Sequence, residues 1–191
     1  MKTINLENSP YQIGVFGSGR VTEAQYQLAY DVGMEIARRG HIVINGGHGG
    51  IMEASAHGCS EGGGLVIGVL PGSQFSDGNK YSTVKVLTGM QFARNYINGL
   101  SCHGAIVVAG SSGAYEEARR VWEGRGPVVV IEGSGSKSGA AAAMIDRQAA
   151  FGLAFPEDKP KPYRIFVAQD AGPAVDMVID LIRKGYPQNE Q

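Results

Sequence analysis

The side chains most suited to chemistry in this sequence are one cation and one carboxylate, Arg94 and Glu117, each close to a turn of small residues. Residues 107–117 have the pattern of an apolar strand, a small-residue loop and the start of a helix. We predict that Glu116 and Glu117 lie in the first turn of that helix. Because a helix N-terminus presents unpaired backbone N–H groups that bind anions, the sequence predicts an anion site with an acid beside it.

Glu117 has two possible chemical roles at such a site. Beside a bound anion its pKa would rise, and it would then serve as a general acid. It would equally serve as a fixed hydrogen-bond acceptor for sugar hydroxyls. A structural role is the third alternative, because Glu116 and Arg120 have the spacing of a helical ion pair and glutamates near a helix start are stabilising.

Arg94 is expected near the start of a helix that follows a short strand. The helix dipole disfavours a cation there, so we expect an anionic partner, either a carboxylate or a phosphate. Arginine binds both groups through two parallel hydrogen bonds, which lysine cannot form. The alternative is a surface salt bridge, which contributes little.

A second motif is the turn from Asn45 to Glu53, with four glycines in the five positions 46–50. Such a run is costly in chain entropy, and a loop that wraps an anion would offset the cost. It is not a P-loop, because no Gly-Lys-Ser/Thr follows. His48 is either a ligand contact or an exposed loop residue, and Glu53 either orients a ligand hydroxyl or stabilises a helix start.

The turn Gly17-Ser18-Gly19-Arg20 follows the first apolar run. It lacks the third glycine of a dinucleotide-binding fingerprint. Its two glycines would let the backbone approach a ligand, and Arg20 would reach a phosphate. The alternative is a tight turn with a solvated arginine.

These motifs must be positioned by strand-like and helix-like segments that alternate along the chain. The predicted strands cover residues 12–16, 42–44, 65–70, 84–86, 105–108, 128–131 and 164–168. The predicted helices cover residues 23–39, 51–61, 90–100, 140–150 and 171–184, with a further helix that ends at about residue 123. Thr22 and Gln25 have the spacing of a capping box at the start of the first helix. The polar segment 73–82 and the Gly/Ser/Lys run 133–139 are predicted to be mobile loops, and residues 156–162 a connector.

Short apolar strands between helices indicate a parallel sheet covered on both faces. We therefore predict a single-domain α/β protein over residues 1–191, a Rossmann-like doubly wound sheet with a frayed tail at about 186–191. The glycine turns all follow strands, and ligands of such sheets lie at the carboxyl ends of strands where the strand order reverses. This placement predicts one composite site.

Composition narrows the class of protein further. The net charge is −1 and no basic block is present, which argues against nucleic-acid binding. Cys59 and Cys102 fit neither a zinc pattern nor a disulfide framework, and no Ser/His/Asp order, HExxH pattern or Cys/His cluster indicates nucleophilic catalysis or a protein-ligated metal. No apolar run approaches the roughly 20 residues of a membrane helix, and the N-terminus lacks the apolar core of a signal peptide. We expect a cytoplasmic protein without membrane contact.

Taken together, the motifs resemble the Lonely Guy-like Rossmann proteins, a family labelled "possible lysine decarboxylases" although no cofactor-lysine signature is visible here. Members carry a Gly-Gly-Gly-x-x-Gly-Leu-Met-Gly segment, an arginine in a later helix and a Pro-Gly-Gly-x-Gly-Thr-x-x-Glu motif. Residues 45–53, Arg94 and residues 109–117 occupy the matching places. The resemblance covers about residues 12–131.

The resemblance implies two functions. Cytokinin-activating members are phosphoribohydrolases, which cleave the N-glycosidic bond of a nucleoside 5′-monophosphate with the arginine and the glutamate, here Arg94 and Glu117. A related branch, the molybdenum cofactor carrier proteins, binds and protects a phosphorylated molybdopterin. The Gly-Met-x-x-Ala-Arg-Asn segment and the Gly-Ile-Met-Glu-Ala turn are closer to this second branch. The family also implies a homo-dimer or homo-tetramer.

Departures from the family motif favour binding over hydrolysis. Ala109, Ser111 and Ala114 replace its proline, second glycine and threonine, although Ser111 and Ser112 would supply hydroxyl groups in their place. We therefore expect a carrier of the molybdenum cofactor, with an AMP-like nucleotide as the alternative ligand. In this interpretation the amides of residues 110–113 hold the phosphate, Arg94 neutralises charge and Glu117 accepts hydrogen bonds. The predicted site residues are Gly17, Ser18, Gly19, Arg20, Gly46, Gly47, His48, Gly49, Gly50, Met52, Arg94, Asn95, Gly110, Ser111, Ser112, Gly113, Ala114 and Glu117, with Arg94 and Glu117 catalytic only in a hydrolase.

Overall fold

Seven parallel strands form one sheet in the part of the chain that the computed structural model describes, residues 9–110, 112–124, 126–134 and 165–185. The strands are β1 (Gln12–Phe16), β2 (Ile42–Asn45), β3 (Val66–Leu70), β4 (Val84–Leu87), β5 (Gly104–Val107), β6 (Val128–Ile131) and β7 (Ile165–Ala168). The α-helices are α1 (Glu23–Arg38), α2 (Ile51–Glu61), α3 (Arg94–Leu100), α4 (Ser112–Glu123) and α5 (Ala171–Arg183), with short 3-10 turns at Phe75–Asp77 and Gln91–Ala93.

The strand order is β4-β3-β2-β1-β5-β6-β7. At the centre, Gly14 of β1 lies opposite Ile44 of β2 on one side and Ala105 of β5 on the other. The chain therefore moves outward from β1 to β4, returns across the sheet, and continues outward from β5 to β7. The order reverses between β1 and β5, which is the ligand-binding position of a doubly wound sheet. The predicted α/β class with a Rossmann-like parallel sheet is confirmed.

Helices cover both faces of the sheet. The helices α1, α2 and α5 pack on one face, over a core that includes Ile13 and Val129. On the other face α4 packs around Phe16. The helix α3 lies against α4 so closely that a Cβ on Gly99 would be 2.3 Å from the Cβ of Arg120. This α3–α4 contact brings together side chains that are distant in the sequence.

The predicted capping box of α1 is confirmed. The Gln25 N–H donates to Thr22 Oγ1 at 3.3 Å, and the Thr22 N–H donates to Gln25 Oε1 at 2.9 Å. The helix ends before Gly40, whose φ of 76° lies in the left-handed region that favours glycine. The capping box at the start of α1 and the glycine after its end therefore define the limits of this helix.

Two helix predictions are wrong in detail. Helix α4 begins at Ser112, so Glu116 and Glu117 are its fifth and sixth residues and lie in the second turn, not the first. Ser112 and Gly113, which were predicted to belong to the loop, are the first two residues of the helix. The single helix predicted over 90–100 is a 3-10 turn followed by α3. Gln91 has a φ of 52°, so a continuous right-handed helix cannot start at residue 90.

Strand ends differ from the prediction by one residue at several places, as where β5 begins at Gly104 and ends at Val107. The helix predicted over 140–150, the connector over 156–162, most of the loop over 133–139 and the tail over 186–191 lie outside the described residues. None of the helices within the described ranges is long and apolar enough to cross a membrane.

Candidate functional site

Arg94 and Glu117 meet as a buried ion pair. Arg94 Nη1 donates to Glu117 Oε1 at 2.9 Å, and only 8% of Arg94 and 5% of Glu117 is exposed. Arg94 is the first residue of α3 and Glu117 lies on α4, so the packing of the two helices forms the pair. The anionic partner predicted for the arginine is therefore the glutamate itself.

Asn98 completes this arrangement from the next turn of α3. Its Nδ2 donates to the same Glu117 oxygen, Oε1, at 2.5 Å, and the residue is fully buried. Arg94, Asn98 and Glu117 are called the carboxylate cluster below. Asn98 is not among the residues predicted for the site, although its i, i+4 spacing from Arg94 places both residues on one helix face.

Burial and charge act in opposite directions within the carboxylate cluster. Burial raises the pKa of Glu117, while the positive charge of Arg94 and the hydrogen bond from Asn98 oppose that rise. Burial likewise lowers the pKa of Arg94, and the charge of Glu117 opposes this change. Each group therefore stabilises the charged form of the other in a position where an unpaired charge would be costly.

The turn after β2 receives the guanidinium of Arg94. A Cβ on Gly46 would lie 2.2 Å from Arg94 Nη1, so a residue with a side chain would displace the arginine. Asn45 fixes the turn, since its Nδ2 donates to the Met52 carbonyl at 2.9 Å and its Oδ1 accepts the Gly47 N–H at 2.8 Å. At least one glycine of this run is thus required by the close approach of Arg94.

The turns after β1, β2 and β5 touch one another at the point where the strand order reverses. The Ile51 N–H donates to the Ser18 carbonyl at 3.0 Å. A Cβ on Gly50 would lie 2.3 Å from that same carbonyl oxygen, and a Cβ on Gly17 would lie 2.3 Å from the carbonyl oxygen of Val108. The structure therefore brings the three predicted turns together.

The other predicted residues of the first two turns lie at the edge of this junction. Gly19 and Arg20 are exposed, and the Arg20 N–H donates to Ser18 Oγ at 3.1 Å. His48, Gly49 and Met52 are half-buried. These positions can be reached from the carboxyl ends of the strands.

The segment 73–82, predicted to be a mobile loop, is hydrogen-bonded to the turn after β2. The Asn79 N–H donates to the Gly47 carbonyl at 2.7 Å, and Asn79 Nδ2 donates to the His48 carbonyl at 3.1 Å. Asn79 Oδ1 also accepts the Tyr81 N–H at 3.1 Å. Asn79 therefore joins this segment to the wall of the candidate site, a role that the sequence did not indicate.

The loop between β5 and α4 follows an unusual path at Ala109. This residue has a φ of 50°, and its N–H donates to Ser134 Oγ at 2.9 Å. Ser134 Oγ in turn donates to the Ile131 carbonyl at 2.5 Å. The proline of the resembled family motif has a φ near −65° and no N–H, so it could not take this conformation. Ser134 had no signal in the sequence, because it follows a different strand.

The residues predicted to form the phosphate loop at the N-terminus of α4 differ in their exposure. Ser112 is exposed, Gly110 and Gly113 are half-buried, and Ala114 is buried against the sheet. Ser111 lies outside the described residues. The small residues at 110 and 113 therefore flank an accessible helix start, whereas the Ala114 side chain belongs to the core.

Asn95 lies apart from the carboxylate cluster. It lines a groove of about 490 Å³ between α3 and α4, together with Tyr96, Glu116 and Arg120. Arg120 Nη1 pairs with Glu123 Oε2 at 2.6 Å, and not with Glu116 as the helical spacing predicted. Asn95 and Glu116 are thus directed to the outer surface of the helix pair.

These features define a Rossmann-like α/β protein with a buried ion pair beside its topological switch point. The chain belongs to the SLOG cluster4 family, whose family model matches residues 10–158. An uncharacterised protein of Archaeoglobus fulgidus is 43% identical over 129 residues, which are 64% of this chain and 84% of that protein.

Two solved structures are similar to this chain over nearly their whole length. The Moco carrier protein of Chlamydomonas reinhardtii is 28% identical with a TM-score of 0.75, and the match covers 92% of this chain and 99% of the carrier. The molybdenum cofactor binding protein of Rippkaea orientalis has a TM-score of 0.76 at 22% identity, over 92% of this chain and 99% of that protein. At that lower identity the second match shows the fold alone.

Proposed function

We propose that this protein binds the molybdenum cofactor and acts as its carrier. The observation that carries the proposal is the match to the Chlamydomonas reinhardtii Moco carrier protein, at 28% identity over 92% of this chain. The carboxylate cluster beside the switch point supports it, because the cluster supplies a fixed acceptor in the place where doubly wound sheets bind ligands. The cofactor is the cargo of the protein in this proposal.

The chain has suitable groups for both ends of such a ligand. The start of α4, between the half-buried Gly110 and Gly113, would bind the phosphate through backbone N–H groups and the helix dipole. Glu117 would accept hydrogen bonds from the organic part, while Arg94 balances its charge. The turn at residues 46–50 and the loop at residues 17–20 would form the opposite wall.

The bonding of Glu117 supports binding rather than hydrolysis. A general acid needs a proton to give, yet both groups that contact Glu117 Oε1 are donors, Arg94 Nη1 and Asn98 Nδ2. Donors of this kind favour the carboxylate form, against the burial that raises the pKa of Glu117. Hydrolysis of a nucleoside monophosphate, the activity of the phosphoribohydrolases that the motifs resemble, is therefore the alternative that the experiments below must exclude.

The proposal is tested by isolating the protein from a bacterial host that makes the molybdenum cofactor and from a strain that cannot. We expect molybdenum and the fluorescent oxidised pterin to copurify only from the first host. Glu117→Gln should reduce this retention by about tenfold or more, since a bond to a charged group contributes about 1.5–3 kcal/mol. Glu123→Gln, an exposed change on the same helix, is the control.

The same preparations are then incubated with AMP and examined by chromatography for free base. Base release that Glu117→Gln abolishes would contradict a pure carrier. Absence of both cofactor retention and base release would contradict the choice of ligand class.

We also propose that two copies of the chain associate through an apolar surface formed by α3 and the turn that precedes it. Met90, Phe92, Tyr96 and Leu100 are all exposed there, and Phe92 is 87% exposed. These four residues are called the α3 face below. Glu116 and Arg120 line the adjacent groove, so the edge of this surface carries charges of both signs.

A further inference from the structure

Glu117 is held by only one of its two carboxylate oxygens. Oε1 accepts hydrogen bonds from Arg94 Nη1 at 2.9 Å and from Asn98 Nδ2 at 2.5 Å. Among the described residues Oε2 has no hydrogen-bond partner, and it is not one of the fully buried polar atoms. Oε2 is therefore the oxygen that can accept a hydrogen bond from a molecule outside the protein.

The Asn98 amide donates a hydrogen bond to Glu117, while its own carbonyl oxygen accepts none from the described residues. Asn98 Oδ1 is fully buried and has no partner in the described part of the chain. An unpaired buried acceptor costs about 1–3 kcal/mol. A leucine, which has the same branching of heavy atoms, would avoid this cost but could not donate to Glu117. The amide therefore serves the carboxylate and not the packing of α3 on α4.

The orientation of the Asn98 amide follows from the charge of Glu117. With the amide rotated, Oδ1 would face Oε1 at 2.5 Å, and only a protonated carboxyl group would tolerate that contact. In the observed orientation both neighbours of Oε1 are donors, and hydrogen bonds to the charged form favour it. The two donors at Oε1 thus favour an ionised Glu117, against the burial that raises its pKa.

We propose that Asn98 is a positioning residue that holds Glu117 as an ionised hydrogen-bond acceptor, so that the site selects ligands that present an N–H or O–H group to Oε2. The selection of ligands rests on the proposed function, while the positioning of Glu117 does not. The amide and amino groups of a pterin ring provide such donors, and so do the hydroxyls of a sugar. Arg94 alone would neutralise the charge of Glu117 but would leave the carboxylate free to rotate.

A titration of Glu117 tests the positioning role without any ligand. The protein is labelled with ¹³C-glutamate, and Glu117→Gln assigns the carboxyl resonance. Asn98→Leu removes the donor, and the isosteric Asn98→Asp places a second carboxyl group beside Oε1. We expect the apparent pKa of Glu117 to rise from wild type to Asn98→Leu and again to Asn98→Asp, by about one unit or more in the last case.

Asn95→Leu is the matched control for this titration, because Asn95 lies on the same helix and lines the outer groove. It should leave the titration of Glu117 unchanged. Equal titration of Glu117 in wild type and in both Asn98 variants would overturn the inference. A protonated Glu117 in the wild-type protein at pH 7 would overturn it whether or not the variants fold.

Binding of nucleotide probes tests the selection of donors. Guanine has the same amino-oxo edge as a pterin, and IMP lacks the amino group of GMP, so the GMP/IMP pair reports a ring donor. AMP and its 2′,3′-dideoxy analogue report a sugar donor. We expect one pair to differ by about tenfold or more in wild type and by less than about twofold in Glu117→Gln.

The two proposals fail in different ways in this experiment. Equal binding of both members of each pair would overturn the donor selection while leaving a phosphate site in place. No binding of any nucleotide would count against the proposed phosphate site, and the titration of Glu117 would still decide the role of Asn98.

Discussion

The ion pair between Arg94 and Glu117 makes each residue dependent on the other. Taking two charges out of water is expensive, and their attraction offsets the expense only while both are present. Glu117 has a side-chain exposure of 7%, so water cannot replace a lost partner. The guanidinium of Arg94 lies between Glu117 and the backbone of Gly46.

Arg94→Leu should therefore destabilise the fold strongly, by about 3–5 kcal/mol, because it leaves a buried carboxylate unpaired. The double variant Arg94→Leu/Glu117→Leu should lose clearly less than the sum of the two single losses. Urea denaturation of the four proteins measures these free energies of unfolding. Arg119→Leu, which breaks an exposed pair with Glu123, is the control and should cost less than about 1 kcal/mol. Strict additivity would show that the two charges do not interact.

Ser134 has a comparable role for the backbone at Ala109. Ser134→Ala should lower the free energy of unfolding by about 1–3 kcal/mol, because the buried Ala109 N–H loses its acceptor. Ser134→Thr keeps the hydroxyl and should recover much of the loss. Thermal denaturation with both variants measures the effect, and equal stability of Ser134→Ala and wild type would contradict this role for the hydroxyl.

At the scale of single elements, the residue before β1 is hydrogen-bonded to a histidine, and the protonation state of this histidine affects the stability of the fold. The Tyr11 N–H donates to His41 Nδ1 at 3.2 Å, which requires that nitrogen to be unprotonated. Burial lowers the pKa of His41, and the positive charges of Arg183 and Arg39 lower it further. The unfolded chain therefore takes up this proton more readily than the folded protein.

Stability should consequently depend on pH near neutrality. Above a pH of about 6.5, the ordinary pKa of histidine, His41 is neutral in both states and its contribution is complete. As the pH falls below that value the unfolded chain is protonated first, and the free energy of unfolding decreases by at most about 1.4 kcal/mol per pH unit for this residue. Urea denaturation between pH 5.5 and 7.5 measures the slope. His41→Gln should reduce the slope, and a slope equal to that of the wild type would contradict the assignment.

The elements also show where local sequence patterns suffice. The capping box at Thr22 and Gln25 predicts the start of α1 because both hydrogen bonds lie within one turn. The start of α4 could not be placed in the same way, since Ser112 and Gly113 resemble loop residues locally and are helical only because α4 packs on the sheet. Local propensity is overridden by tertiary packing at this point.

For the whole molecule, the alternation of apolar strands and helices was sufficient to predict a doubly wound sheet and the meeting of its glycine turns. The carboxylate cluster was predicted only in part. The sequence assigned Arg94 and Glu117 to one composite site, but their direct ion pair depends on the packing of α3 against α4, as does the contact of Asn98 with Glu117. Ser134 and Asn79 lay beyond prediction, because each contacts a turn that is remote in the sequence.

The α3 face supplies the last prediction, which concerns the assembly of the whole molecule. A protomer has a mass of 20.1 kDa, and we expect light scattering after size-exclusion chromatography to give a multiple of this value. Phe92→Asp should shift the protein toward the monomer, because burying a charge at the centre of an apolar interface is costly. Phe75→Asp, at a side chain that is 64% exposed but lies on the segment 73–82, is the matched control. A monomeric wild type, or an unchanged mass in Phe92→Asp, would show that the α3 face does not join two copies.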